Sequence, residues 1–194
     1  MKYIVLNLTL FLGLFSAVSF ADEDLSSKQD KYRSTINNLM NQLKAELQTA
    51  KKEGGAVKAI EICNTKAPEI SAKVSKEVGF TVARTSLKPR NSDNAPDAWE
   101  TKVLEQFEQR KVAGEKPKKL EFIEVVKNEA GQRQVRYMKA IRTGAPCLGC
   151  HGTDIDPAIA TKLQELYPED KALGFEAGDL RGAFSITETL SVPE

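Results

Sequence analysis

Apolar residues recur at every third or fourth position over 26–52, at Tyr32, Ile36, Leu39, Met40, Leu43 and Leu47, with charged residues between them. That period predicts a long amphipathic helix, which Gly54-Gly55 is placed to end. Residues 56–64 predict a second, short helix with Cys63 near its end. Pro68 opens a third, with Ile70 and Val74 one turn apart and Gly79 as its stop. The pattern then changes: 80–86 is strand-like, and 87–95, rich in Pro, Asn, Asp and Ser, predicts a loop. Pro96 and Asp97 begin another helix, on which Trp99, Val103, Leu104 and Phe107 share a face. Two strand-like runs, 120–127 and 134–141, flank Asn128-Glu129-Ala130-Gly131 and predict a hairpin. Asp156-Pro157 starts a helix over 158–167, and 181–190 reads as a closing strand. Helices followed by short strands predict an α+β domain around an antiparallel sheet. A four-helix bundle is the alternative, weakened by the strand character of 120–141 and 181–190.

The first residues follow another logic. Lys2 precedes an apolar run broken only by small polar residues, Ser19 and Ala21 close it, and Asp22-Glu23-Asp24 follows. This is the layout of a secretory signal over 1–21, with cleavage expected after Ala21 and a mature domain over 22–194. The strictly apolar part is short for a bilayer span, and no later segment is apolar enough to cross a membrane. The expected product is an exported, periplasmic protein. Its 28 basic and 27 acidic residues leave a net charge of +1, which argues against a nucleic-acid partner.

Export makes the three cysteines informative, because an odd thiol in an oxidising compartment needs an explanation. They are Cys63, Cys147 and Cys150, and the only histidine, His151, directly follows the last. Cys147-Leu148-Gly149-Cys150-His151 is C-x-x-C-H, the spacing of c-type haem attachment: two thiols reach the vinyl groups on one porphyrin edge while the next imidazole turns under the iron. Gly149 and Gly152 let the backbone pass close to a ring. A redox dithiol would sit in a βαβ unit, zinc ligands are normally spaced apart, and a plain disulfide leaves the histidine unexplained.

A second histidine ligand is impossible. The soft candidates opposite His151 are Cys63, Met40 and Met138, with a lysine or an open position also compatible with the residues. Met40 lies in the apolar helical stripe, where packing serves as well as ligation, and Met138 in a strand-like run. Cys63 differs, because a lone exported thiol is prone to oxidation or mispairing unless something occupies it and ferric iron would stabilise its thiolate, the alternative being a small buried apolar residue. Arg84, Lys88, Arg90 and Arg181 are candidates to pair with haem propionates.

Longer stretches carry a resemblance: Ile62-Cys63-Asn64 with Ala67-Pro68, Gly79-Phe80, the run from Arg84 to Asn91, Ala95-Pro96-Asp97-Ala98-Trp99-Glu100, Cys147 to Gly152, and Gly178 to Ser185. In these the chain resembles exported single-haem c-type cytochromes with a PAS-like fold, over nearly its whole mature length. The resemblance implies a PAS-like antiparallel sheet with N-terminal and flanking helices and one covalent haem c. It further implies thioethers at Cys147 and Cys150, His151 as proximal ligand and Cys63 as distal ligand. Two functions follow as expectations: a low-potential electron carrier serving separate redox proteins, or a haem-based redox or gas sensor signalling through a separate partner. An enzyme is not expected, since no nucleophile and base can be named.

Overall fold

The computed structural model describes residues 25–191, so the expected leader over 1–21 lies outside the described residues. In chain order the elements are α1 Leu25–Val78, β1 Thr81–Thr85, α2 Ala98–Val112, β2 Glu121–Lys127, β3 Arg133–Arg142, α3 Leu148–His151, α4 Pro157–Leu166 and β4 Leu180–Thr189. Short 3-10 turns occupy Ser92–Asn94, Pro117–Lys119 and Ala145–Cys147. The strands form one antiparallel sheet in the order β1-β4-β3-β2. This is the expected α+β, PAS-like arrangement, and it excludes the four-helix bundle.

The run called α1 is two helical arms. Gly54 (φ −154°, ψ 22°) and Gly55 (φ 70°, ψ −158°) leave helical geometry between them, and the second conformation is open to glycine alone at little strain. The expectation of separate helices over 56–64 and from Pro68 onward is corrected: 56–78 is one arm with Pro68 inside it. Pro68 lacks an N–H and so leaves the Asn64 carbonyl without its helical partner, a local penalty of about 3 kcal/mol. Tertiary packing overrides it, because Ile60, Ala67 and Val74 are all buried along the same arm.

Both sheet faces are covered, and the alternation of side chains decides by what. Val135 and Tyr137 of β3, Phe184 and Ile186 of β4 and Val82 of β1 meet Tyr32, Ile36 and Leu39 of the first arm and Val74 of the second. Met138 and Ala183 point the other way, onto Val103, Leu104 and Phe107 of α2. Burying a side chain such as Ile36, Leu39 or Ile186 contributes about 1.5–3 kcal/mol. The start of α2 is fixed by a capping box of Asp97 and Glu100, and Arg136 from β3 both pairs with Asp97 at 2.7 Å and stacks 4.3 Å from the Trp99 ring centre. A third cluster, Ile60 with Leu163 and Tyr167, packs the second arm of α1 against α4.

One ionic network ties the first arm to the sheet. Glu121 accepts from Arg33 at 2.9 Å and 3.1 Å and from the Tyr137 hydroxyl, with Lys139 at 3.6 Å. Burial raises the Glu121 pKa, but these donors and charges outweigh it and hold the carboxyl at about 2, against an ordinary 4.5. A carboxylate lowered in the folded state stabilises the fold above its unfolded pKa, and that contribution disappears as pH falls from about 4.5 toward 2. Urea titrations over that window are expected to show parent stability declining more steeply than that of Glu121→Gln, which should already be weaker at neutral pH. Parallel acid limbs would contradict the assignment.

Candidate metal centre

The C-x-x-C-H segment is a single tight turn. Cys147 closes the 3-10 turn Ala145–Cys147, the one-turn helix α3 Leu148–His151 follows, and the Gly152 N–H ends it on the Leu148 carbonyl at 2.8 Å. A Cβ at Gly152 would lie 2.7 Å from that carbonyl oxygen, so packing requires glycine there; a Cβ at Gly149 would meet nothing within 4 Å. Cys63, Cys147 and Cys150 are all free thiols. Among the described residues no group of three or more His, Cys, Asp and Glu converges as in a closed metal cage.

His151 is oriented by backbone. Its Nδ1 lies 2.9 Å from the Ala172 carbonyl oxygen. A carbonyl only accepts, so Nδ1 carries the hydrogen and Nε2 is left as the basic nitrogen with its lone pair free. Burial, reinforced by the charges of Arg181 and Arg90 and opposed by the Ala172 bond, pushes the imidazole down to about 3, keeping it neutral. Phe175 stands edge-on to the ring at 6.3 Å and 88°. The loop carrying Ala172 and Phe175 is strapped to the motif through Phe175 N–H to the His151 carbonyl at 2.9 Å and Gly174 N–H to the Gly152 carbonyl at 3.0 Å.

Arg90 reaches the motif from the loop after β1. Its guanidinium donates to Asp170 at 2.9 Å, to the Cys150 carbonyl, and to the same Ala172 carbonyl at 3.3 Å. Asp170 in turn accepts from the Ala172 N–H at 2.7 Å.

The fold brings Cys63 and His151 to one pocket of about 200 Å³, whose walls include Arg84, Arg90, Arg181 and Tyr167. Cys63 is exposed on its own helix but opens onto this pocket, where enclosure raises the thiol pKa and the Arg84 charge opposes the rise. Burial lowers the Arg84 pKa, and the groups whose charges act on it are Cys63 and Tyr167 rather than any Asp or Glu. Arg181 owes its direction to a break in register: Gly182 pairs with Ile141 and Leu180 with Arg142, so Arg181 is the extra residue of a β-bulge. Its Nη1 donates to Ser86 Oγ and the Lys88 carbonyl, both at 3.1 Å, while its buried Nε has no partner among the described residues. Burial, with the neighbouring guanidiniums of Arg90 and Arg84, pushes it down to about 10.

Three of the four basic candidates therefore line the pocket. The fourth, Lys88, lies elsewhere, with its Nζ 5.4 Å from the centre of the Phe175 ring. Met138 is fully buried between the sheet and α2, and Met40 packs against the core on the α1 face. Neither methionine lines the pocket that holds His151. The pattern of the sequence missed Asp170, Ala172 and Phe175 altogether, because they sit between α4 and β4 in a segment without period, where Pro168 and the positive-φ Gly174 and Gly178 (75° and 104°) signal turns but not which side chains they present.

The family described as Tll0287-like matches residues 18–188. The chain belongs to the Tll0287-like family. Among solved structures it is similar to the cyanobacterial heme-protein Tll0287, with a TM-score of 0.64 and 26% identity over 87% of this chain and 98% of that chain. The shared fold thus spans nearly the whole of that chain. No curated protein matches.

In this Tll0287-like chain the β1–β4 seam, which delivers Arg84 and Arg181 to the pocket, depends on Gly182. Its φ is 147°, and a Cβ there would lie 2.2 Å from the Thr85 carbonyl oxygen and 3.0 Å from the Ser86 Cβ. Gly182→Ala is expected to lower the unfolding free energy by about 2 kcal/mol or more, read as a lower urea midpoint. An unchanged midpoint would show that the seam tolerates a side chain.

Proposed function

We propose that this chain binds one covalent haem c, ligated by His151 and Cys63, and serves as an exported, periplasmic, low-potential electron carrier for separate redox proteins. The observation that carries this reading is that one pocket is walled by both His151 and Cys63. The only histidine there is held with Nε2 free for a metal, and the thiol stands beside a cation. The solved relative's description as a heme-protein supports it.

The residues present fit such a group. A pocket walled by three guanidiniums against one carboxylate, Asp93, with the buried Nε of Arg181 unpartnered among the described residues, suits a ligand bearing anionic propionates. Bound there, haem supplies a one-electron Fe(III)/Fe(II) couple. Cys147 and Cys150 would hold it through thioether links, each S–H adding across a vinyl group with no leaving group. His151 would hold the iron through Nε2 and Cys63 through an anionic sulfur, a donor set that would favour the ferric state and so a low potential, where a methionine would raise it. The Ala172 bond keeps the imidazole in the ligating tautomer. With both His151 and Cys63 available to the iron, electron transfer suits the pocket better than catalysis on a substrate.

A sensor is the second reading. It draws on Cys63 being exposed on an arm that begins at the Gly54-Gly55 break, so that loss of the thiolate on reduction would open a position for a diatomic gas.

Protein matured by a c-type haem assembly system is expected to carry one haem that resists acid-acetone extraction and appears by mass spectrometry on the peptide containing Cys147 and Cys150. Absence of the adduct would refute the proposal. Cys63→Ala should keep the haem, become high-spin in the ferric state and shift to a higher midpoint potential. A parent that exchanges one electron without changing ligands supports the carrier, and one that binds carbon monoxide readily on reduction supports the sensor. A variant identical to its parent would remove Cys63 from the iron.

A further inference from the structure

The Ala172 carbonyl accepts twice: from His151 Nδ1 at 2.9 Å and from Arg90 at 3.3 Å. The same guanidinium caps the Cys150 carbonyl inside the motif and is neutralised by Asp170 at 2.9 Å, with both partners of that ion pair nearly buried, at 12% and 7% exposure. Asp170 also holds the Ala172 N–H at 2.7 Å. Asp170 and Arg90 thus grip opposite ends of the residue on which the imidazole rests.

We propose that Arg90 and Asp170 are positioning residues that set the donor strength of His151 by competing for, and polarising, the carbonyl that accepts its Nδ1–H. This deepens the haem reading and rests on it. The physical sequence is short. A cationic donor draws electron density from the Ala172 oxygen, which then accepts less strongly from Nδ1–H. A weaker bond there makes the imidazole a poorer electron donor through Nε2 and destabilises the ferric state. Arg90 therefore raises the potential above what His151 and Cys63 alone would give. Asp170 limits the effect by sharing the guanidinium's charge. The two members of one ion pair act in opposite directions.

The test uses holoprotein whose haem content has been checked by the pyridine haemochrome. Arg90→Gln is expected to lower the midpoint potential and Asp170→Asn to raise it, each by about tenfold in the reduction equilibrium, or about 59 mV for one electron. Arg90→Lys, which keeps the charge but not the planar fork, should fall between Arg90→Gln and the parent. In a Cys63→Ala background, resonance Raman should place the ferrous iron–histidine stretch higher in Arg90→Gln than in the parent. Arg84→Gln, which removes a charge from the same pocket without touching Ala172, should leave that stretch unmoved. If Arg90→Gln fails to retain haem, Arg90→Lys and Asp170→Asn decide the matter. Potentials that shift the same way in both variants, or an unmoved stretch with parent-like haem content, overturn this inference and leave the proposed function standing. A parent without haem overturns both.

Discussion

Residues that follow one another in a turn reach only one face of a flat macrocycle. Cys147, Cys150 and His151 share the turn from Ala145 to Gly152, so any side chain meeting the opposite face must come from elsewhere in the chain. If the turn holds a haem as proposed, that constraint gives the architecture its meaning. The second arm of α1 carries Cys63, α4 packs on that arm through Ile60, Leu163 and Tyr167, and the short α3 turn precedes α4 directly. Packing the arm against α4 therefore sets Cys63 and His151 across a common pocket.

The sheet supplies the charge. β1 and β4 are neighbours, with Arg84 opposite Phe184, and the bulge at Arg181 turns that side chain out of the ladder's alternation. With Arg90 they put three guanidiniums and one carboxylate, Asp93, around one cavity, and among the described residues Arg90 alone of the three guanidiniums is ion-paired, to Asp170. Gathering cations out of water is unfavourable unless something anionic repays it. A thiolate and a pair of propionates would do so here.

How much of this was legible in the sequence depended on the kind of signal. The C-x-x-C-H motif stands out in the sequence because the chemistry proposed for it demands contiguous residues. The amphipathic stripe of the first arm and the hairpin could be read because one-sided burial imposes a period. Pro68 misled, since local propensity makes it a helix start while packing of Ala67 and Val74 carries the helix straight through it. Arg90 was visible only as one basic residue among several, because two of its partners are backbone carbonyls, which no sequence pattern displays. Cys63 was already set apart in the sequence, as a lone exported thiol and by the family resemblance, and in the fold neither Met40 nor Met138 lines the pocket that holds His151.

The account stands or falls on whether the sulfur of Cys63 and the nitrogen of His151 meet at one iron. X-ray absorption at the iron edge of the ferric holoprotein measures this directly. One sulfur scatterer in an otherwise nitrogen shell, lost in Cys63→Ala and retained in Met40→Leu and Met138→Leu, is the predicted result. A shell of nitrogen and oxygen alone, or a sulfur that survives Cys63→Ala, would contradict it.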